Sequence, residues 1–500
     1  MRLVSFGYGC FLLGTVMSYW GLGRFWPPLQ RWLLLLASVL FYGLLQPQFL
    51  PLLLGLTALN FFWGKFLARQ GPAGDRPQSL RQAFRLWQWQ PGYWLGLGIF
   101  LNLAVLFGFK YIPFTLENLA WLWPLPGLEQ WAIAFQETLI APLGISFFTF
   151  ECIAYLVDVY RGAPAAQSLL TFGSYKLFFP KLLSGPITRF HIFAGQGRRT
   201  AGLLLDEGVE GLWLIASGAV KKVLIADNLG VFVELCANNL ERAGSGDLWL
   251  FILAYGLQLY FDFSGYVDLA LGSAKLLGFQ LPENFDFPYF STSLAEFWRR
   301  WHISLGDWLR NYLYFPLGGS RRGLGRTCAN LFVVMFLAGL WHGAAWGYVI
   351  WGCLHGLGLG IHRLGQWCAR RWLWLERFWA SLPGIFGAWL LTQAFVFLSW
   401  VPFRLPDGPR AVLVLRHLWR YPGDLQFTQK IYLEGLGLER PGFLVLLGLL
   451  LLGMGGTYLV QRQWQLQLNW GLKVALIPLC FYGILIFGPE GNIPYIYFDF

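Results

Sequence analysis

The chain has 500 residues, 56% hydrophobic and only 13% charged, with mean hydropathy +0.50 and net charge +11. A soluble domain carries about 25% charged residues, so this composition excludes one and points to an all-α polytopic membrane protein. At roughly 20 residues per span there is room for about 10–13 membrane helices. The positive charge reads as Arg- and Lys-rich cytoplasmic loops. With no zinc finger, RNA-binding signature or basic tail, nucleic acid is not an expected partner.

The first apolar run, Leu3–Leu22, follows a single Arg and has no small-residue cleavage site, so it reads as a retained span. Further spans are expected at Arg31–Leu45, Phe49–Leu67, Tyr93–Lys110 and Trp131–Leu156. The loops between them alternate in charge. Trp20–Trp32 carries Arg24 and Arg31, and 46–48 carries no charge. Ala68–Gln88 carries Arg69, Arg76, Arg81 and Arg85 against Asp75. Ile112–Gln130 holds Glu117 and Glu129 with Lys110 at its edge, and Asp158–Gly162 carries Arg161. The positive-inside rule then places the N-terminus outside and the basic loops in the cytoplasm.

Leu169–Gly185 is apolar but carries Lys176, Pro180 and Lys181, which predicts an interfacial or re-entrant segment, packed in protein or lining a cavity. Arg189, Arg198 and Arg199 follow on the basic side. Leu212–Leu235 is helical in character although Lys221 and Lys222 interrupt it, and Leu248–Phe261 reads as a span. Ser293–Tyr314 has continuous helical periodicity, with Trp298, Trp301, Leu305, Trp308 and Leu309 on one stripe. Cys328–Ile361 lies between two basic blocks and suits two short passes, with a turn near Leu340–Trp346 that puts His342 deep. Later spans are expected at Ile385–Trp400, Phe443–Val460 and Val474–Phe487, with a mixed-charge external loop over 404–440. We read one domain, 1–500: N-terminal spans (1–140), a catalytic core (141–365) and C-terminal spans (366–500).

Candidate chemistry concentrates between Phe261 and Gly356. Ionisable groups in a membrane interior mark functional sites by default, because hydrocarbon penalises them. His342 lies in Gly339-Leu-Trp-His-Gly-Ala-Ala-Trp, where small residues permit close approach. A neutral imidazole there can take a proton from a hydroxyl and return it to a leaving group. The alternative is a packing histidine bonded to a carbonyl. His302 is either part of an amphipathic interfacial helix or a second polar group facing a cavity. His355 is open between packing and function. His191, His362 and His417 lie in or beside basic loops and read as surface residues. Asp262, Asp268, Glu283, Asn284, Asp286 and Glu296 read as partners of nearby arginines that hold helices in register.

The histidines lack HxxxH or HExxH spacing, the seven cysteines are scattered without CxxC, and no metal site is expected. No Walker A, GxSxG elbow or dinucleotide fingerprint occurs, so ATP-driven transport and hydride transfer have no support.

YFDFSGYVDLALG (260–272), ENFDFPY (283–289), EFWRRWHISLGDWLRNYLYFPLGG (296–319) and GLWHGAAWGYVIWGCLHG (339–356) resemble the membrane-bound O-acyltransferase family, nearest its bacterial polysaccharide branch. LGISFFTFECIAYLVDVYRG (143–162), FPKLLSGPITRF (179–190) and GAVKKVLIADNL (218–229) extend the match, which is dense over 140–365 and weak beyond about 405. The resemblance implies helices around a central funnel and tunnel. It implies that His342 is catalytic, His302 a second site residue and His355 an auxiliary one. It further implies an acyl donor such as acetyl-CoA or an acylated carrier, with no permanently bound cofactor. Arg299, Arg300, Arg310, Arg321 and Arg322 either attract such an anionic donor or only set topology. The acceptor is an exported polysaccharide or a serine on a periplasmic partner. D-alanyl transfer to a cell-wall polymer, a transporter without covalent chemistry and an idle scaffold remain competing readings.

Overall fold

A computed structural model describes residues 4–70, 90–123, 125, 127–196, 202–489 and 494–496. Arg76, Arg81, Arg85, Asp75, Arg198 and Arg199 lie outside these residues. Among the described residues the regular structure is all helical, with no strand and one isolated bridge between Phe285 and Trp301.

The core is built on one helix, Ser245–Leu276. Its 32 residues run well past the expected Leu248–Phe261, and 89% of its most apolar stretch is buried inside the protein. At 1.5 Å per residue it is about 48 Å long, more than the roughly 30 Å hydrocarbon core. Two glycine pairs let Leu205–Ala219 lie against it. A Cβ on Gly218 would meet the Gly265 carbonyl at 2.7 Å, and one on Gly272 would meet that of Gly211 at 2.5 Å. The Leu205–Ala219 helix continues through wider π turns over Val220–Asp227 into Asn228–Ala237. There Lys221 pairs with Asp268 (2.7 Å), and Lys222 with Asp262 (2.5 Å) and Asp227 (2.7 Å). The lysines that interrupt the apolar run are therefore fasteners between two helices. Asp262 and Asp268 were expected to pair with arginines and pair with lysines instead. Arginines do meet Glu296 (Arg300, 2.7 Å) and Asp286 (Arg462).

Seven described helices are long and apolar enough to cross a membrane: Pro47–Arg69, Gly92–Lys110, Ser245–Leu276, Leu324–His342, Leu382–Arg404, Arg440–Gln463 and Trp470–Phe487. That is fewer than length alone suggested, for a physical reason. Leu29–Leu45 is apolar but short, Ile145–Tyr160 has only 16 residues and carries Glu151 and Asp158, and 205–237 is divided by π turns that carry the lysine pair. Such helices depend on partners inside the protein. Toward the periphery, Trp470–Phe487 buries none of its span inside the chain, and Leu479, Phe481, Tyr482 and Leu485 face outward as a lipid-facing helix requires.

Two expected helices are broken. Trp131–Leu156 separates into Leu128–Thr138 and Ile145–Tyr160, because Gly144 takes φ +76° and packs where a Cβ would meet the Leu182 carbonyl at 2.5 Å. Ser293–Tyr314 separates into Leu294–Arg300 and Ile303–Leu309, with π turns over Arg310–Tyr314. It is no surface helix, since Trp301, Leu305, Trp308 and Leu309 are all buried. The segment after Leu169–Lys176 is irregular and buried from Leu177 to Thr188, as a re-entrant stretch packed in protein must be. The 404–440 stretch is partly helical, over Pro409–His417 and 425–435.

Candidate functional site

The turn expected near Leu340–Trp346 is present. Leu324–His342 ends at His342, Gly343 is extended, and Trp346–Ala369 returns. The glycines make the return tight: Gly339 and Gly343 lie against Tyr348, and Gly339 also against Gly352. The last carbonyls of a helix have no partner within it and carry its negative dipole end. Here they are capped from Gln90–Lys110 and the residue that follows. Lys110 Nζ donates to the carbonyls of Trp341 (2.6 Å) and His342 (3.1 Å), and Tyr111 Oη to that of Leu340 (2.7 Å). These two residues were not recognised in the sequence, where Lys110 only marked the edge of a span.

His342 is 3% exposed, and its ring lies 4.9 Å from Trp341, 5.0 Å from Trp351 and 5.2 Å from Phe403. Beside it is a recess with about 80 Å³ of space reachable by water centres, room for several waters. Lys110, the stretch Ala141–Phe147 with its bend at Gly144, Leu183 and Trp341 form the rest of its wall. The Gly144 break thus has a local purpose: it turns the chain out of helix where the recess opens.

His302 is fully buried, in the left-handed region at φ 44°. Its ring stacks on Phe147 (6.2 Å) and meets Phe263 (4.8 Å) and Trp341 (6.3 Å) edge-on. Trp341 therefore touches both histidines. Left-handed backbone is unfavourable for a residue with a Cβ, by about 1–2 kcal/mol, and needs anchoring. Asn284 supplies the anchor. Its carbonyl accepts from Ile303 N (3.0 Å), its Oδ1 from Ser304 N (2.9 Å), and the neighbouring Asp286 N donates to Arg300 O (2.9 Å). Ser304 Oγ in turn accepts from Ile187 N (3.0 Å), tying the buried 177–189 stretch to the same corner. Asn284 was grouped with ion-pair partners in the sequence; it is a backbone clamp.

His355 is fully buried and both ring nitrogens are bonded. Trp298 Nε1 donates to Nδ1 (3.1 Å), so the proton sits on Nε2, which reaches Ser399 Oγ (3.0 Å), and Ser399 donates to Val396 O (2.7 Å). Trp351 lies between His355 (4.7 Å) and His342 (5.0 Å). His355 so holds the indole against which His342 rests.

From Trp341 a column of rings leads away from the recess. Phe150 is 5.1 Å from Trp341 and 3.8 Å from Trp308, parallel within 2°, and Tyr312 follows at 5.4 Å. Tyr312 donates to the Asp158 carboxylate (2.9 Å), with the guanidinium groups of Arg161 (5.4 Å) and Arg189 (5.6 Å) over its ring. Of the arginines singled out from sequence, Arg300 is paired with Glu296 and Arg310 with Asp307, while Arg299, Arg321 and Arg322 are exposed. His191, His362 and His417 are half-buried and apart from the recess. Among the described residues no three His, Cys, Asp or Glu groups converge as a metal cage.

On the helix Ile145–Tyr160, Glu151 takes two lysines: Lys176 at 3.3 Å, and Lys181. It also accepts from Thr188 N at 3.1 Å, and all three charged groups are buried. The lysines that made 169–185 look re-entrant thus close on a carboxylate inside the protein.

Comparison with known proteins gives a consistent picture. A model described as the membrane-bound O-acyltransferase family matches residues 6–399. A probable alginate O-acetylase of Pseudomonas putida is 37% identical over 502 residues, 96% of this chain and 97% of its own. A peptidoglycan O-acetyltransferase of Helicobacter pylori is 35% identical, covering 77% of this chain and 72% of its own. A teichoic acid D-alanyltransferase of Streptococcus thermophilus is 32% identical, covering 45% and 58%.

Proposed function

This chain belongs to the membrane-bound O-acyltransferase family, and from that premise we propose that it acetylates hydroxyl groups of an exported polysaccharide, with His342 as general base. The observation that carries the reading is His342 itself: an imidazole at a helix end, walled by indoles, on a recess that admits water-sized groups. The nearly full-length likeness to an alginate O-acetylase supports a polysaccharide acceptor and an acetyl group.

The chemistry asked of the site is proton transfer and charge stabilisation. His342 takes the proton of an acceptor hydroxyl as its oxygen attacks the acyl carbon, and returns it to the leaving group. Trp341 and Phe147 wall the space in which the acyl group rests, His302 packs against both, and His355 positions Trp351 behind His342. The donor is an anionic thioester, acetyl-CoA or an acylated carrier, supplied from the end bearing Arg161, Arg189 and Arg310. That end is cytoplasmic by the positive-inside rule, in a bacterial inner membrane with the N-terminus outside. The acceptor is the polymer or a serine hydroxyl on an external partner protein.

A clean deletion, complemented by the wild-type chain, tests the reading by ester analysis of the surface polymers. Acetyl esters that disappear and return with the gene support it. D-alanyl esters behaving so would move the acyl group to the teichoic-type alternative. No change in any ester would leave transport or scaffolding.

A further inference from the structure

We propose that Lys110 is the oxyanion donor of the transfer site, an inference that rests on the acyl-transfer reading above. Two independent features of its place support this. Its ammonium is fixed by the carbonyls of Trp341 and His342, so it stands at the same helix end as the base. It also lines the recess, where Lys110 and His342 are the only titratable side chains of the wall among the described residues. An ammonium has three N–H bonds and these carbonyls engage two, leaving one for the recess. A capping role alone would be satisfied by a cation turned away from the space beside His342.

The step balances without a further reactant. The acceptor O–H proton passes to His342, and the oxygen's electron pair forms a bond to the carbonyl carbon of the thioester donor. The C=O π pair moves onto the carbonyl oxygen, and Lys110 donates a hydrogen bond to that oxyanion while remaining protonated. The intermediate collapses, the C–S bond breaks, and the departing thiolate takes the proton from His342. A fixed cation at developing charge acts strongly in a water-poor site, and removing one such donor typically lowers the rate by about 10²–10³-fold.

The test compares Lys110→Met, Lys110→Arg, Tyr111→Phe and His342→Ala in cells. It reads the initial rate of acetyl-ester formation per inserted, folded protein. Lys110→Met is expected to lower that rate by about 10²-fold or more, with Lys110→Arg recovering part of it. Tyr111→Phe removes only the adjacent cap on Leu340 and should lower it less than about tenfold. A Lys110→Cys variant supplies a readout that capping geometry alone would not move. Alkylation with 2-bromoethylamine restores an ammonium of nearly lysine length and should restore transfer, whereas iodoacetamide gives a neutral side chain and should not. The same reagents on the wild type control for the seven native cysteines. Equal losses in Lys110→Met and Tyr111→Phe, tracking folded protein, would overturn the proposal, as would equal recovery with both reagents. If His342→Ala abolishes esters while Lys110→Met keeps them, this inference fails and the function stands. If His342→Ala keeps them, the function reading itself fails.

Discussion

Replacing Asn284 with alanine should disable the site while the protein still folds. The Asn284 side chain is fully buried and its Oδ1 accepts from Ser304 N at 2.9 Å, in a residue only 5% exposed. Asn284→Ala leaves that N–H buried without its acceptor, a loss of about 1–3 kcal/mol. The backbone bond from Ile303 N to Asn284 O survives, so the corner is weakened, not removed. Against it works the left-handed backbone of His302, worth about 1–2 kcal/mol toward an ordinary helix through 301–303. With the side-chain anchor gone that strain is no longer offset, so the healed form is favoured by about 1–2 kcal/mol. A shift of 1–2 kcal/mol lowers the competent fraction by about 5–30-fold. The assay is ester formation per inserted protein, beside the thermal midpoint of the detergent-extracted chain. A 5–30-fold loss with a folded protein is expected. His302→Gly in the same background should recover thermal stability by relieving the backbone but not recover activity. Activity within twofold of wild type for Asn284→Ala would refute the reasoning.

Three further outcomes follow from the same geometry. His355→Phe orphans Trp298 Nε1, leaves Ser399 Oγ with only its bond to Val396 O, and should lower stability by about 1–3 kcal/mol; His355→Gln should recover part of it and keep the wild-type pH–rate profile, because His355 moves no proton. Glu151→Gln leaves Lys176 and Lys181 buried without their carboxylate, a loss of about 3–5 kcal/mol read as lost folded protein, and adding Lys181→Met should restore part of the yield. Gly144→Ala, at φ +76° and facing the Leu182 carbonyl, should abolish the bend that walls the recess, seen as lost transfer and a lower melting midpoint.

What the sequence made legible was what depends on counting. The distance between two basic blocks allowed only two short passes, and that arithmetic put a turn near Leu340–Trp346 with His342 deep; the structure narrows it to Gly343–Ala345, with His342 at a helix end. The lysines of 169–185 argued against a simple span, and the chain after the Leu169–Lys176 helix is irregular and buried. Periodicity failed at the two breaks. The apolar stripe of Ser293–Tyr314 continues across Trp301–His302, and the residue that breaks it, Asn284, lies 18 positions upstream. Gly144 gave a visible signal in Pro142-Leu-Gly144, but it was absorbed into an apolar run long enough to look like one span. Lys110 gave none: a cation at the end of an apolar run marks an interface equally well, and only the tertiary fold shows that it caps another helix. Similarly, Asp262 and Asp268 could be seen to need cations, but not that Lys221 and Lys222 face them across a glycine-lined contact.

The central claim is that His342 performs acyl transfer. The most direct measurement is the acetyl-ester content of the exported polymer in a deletion strain carrying wild type or His342→Ala, with membrane insertion verified by immunoblot. The account predicts esters at the wild-type level in the first and background levels in the second, with equal inserted protein. Esters sustained by a well-inserted His342→Ala chain, and absent in the deletion strain, would contradict it.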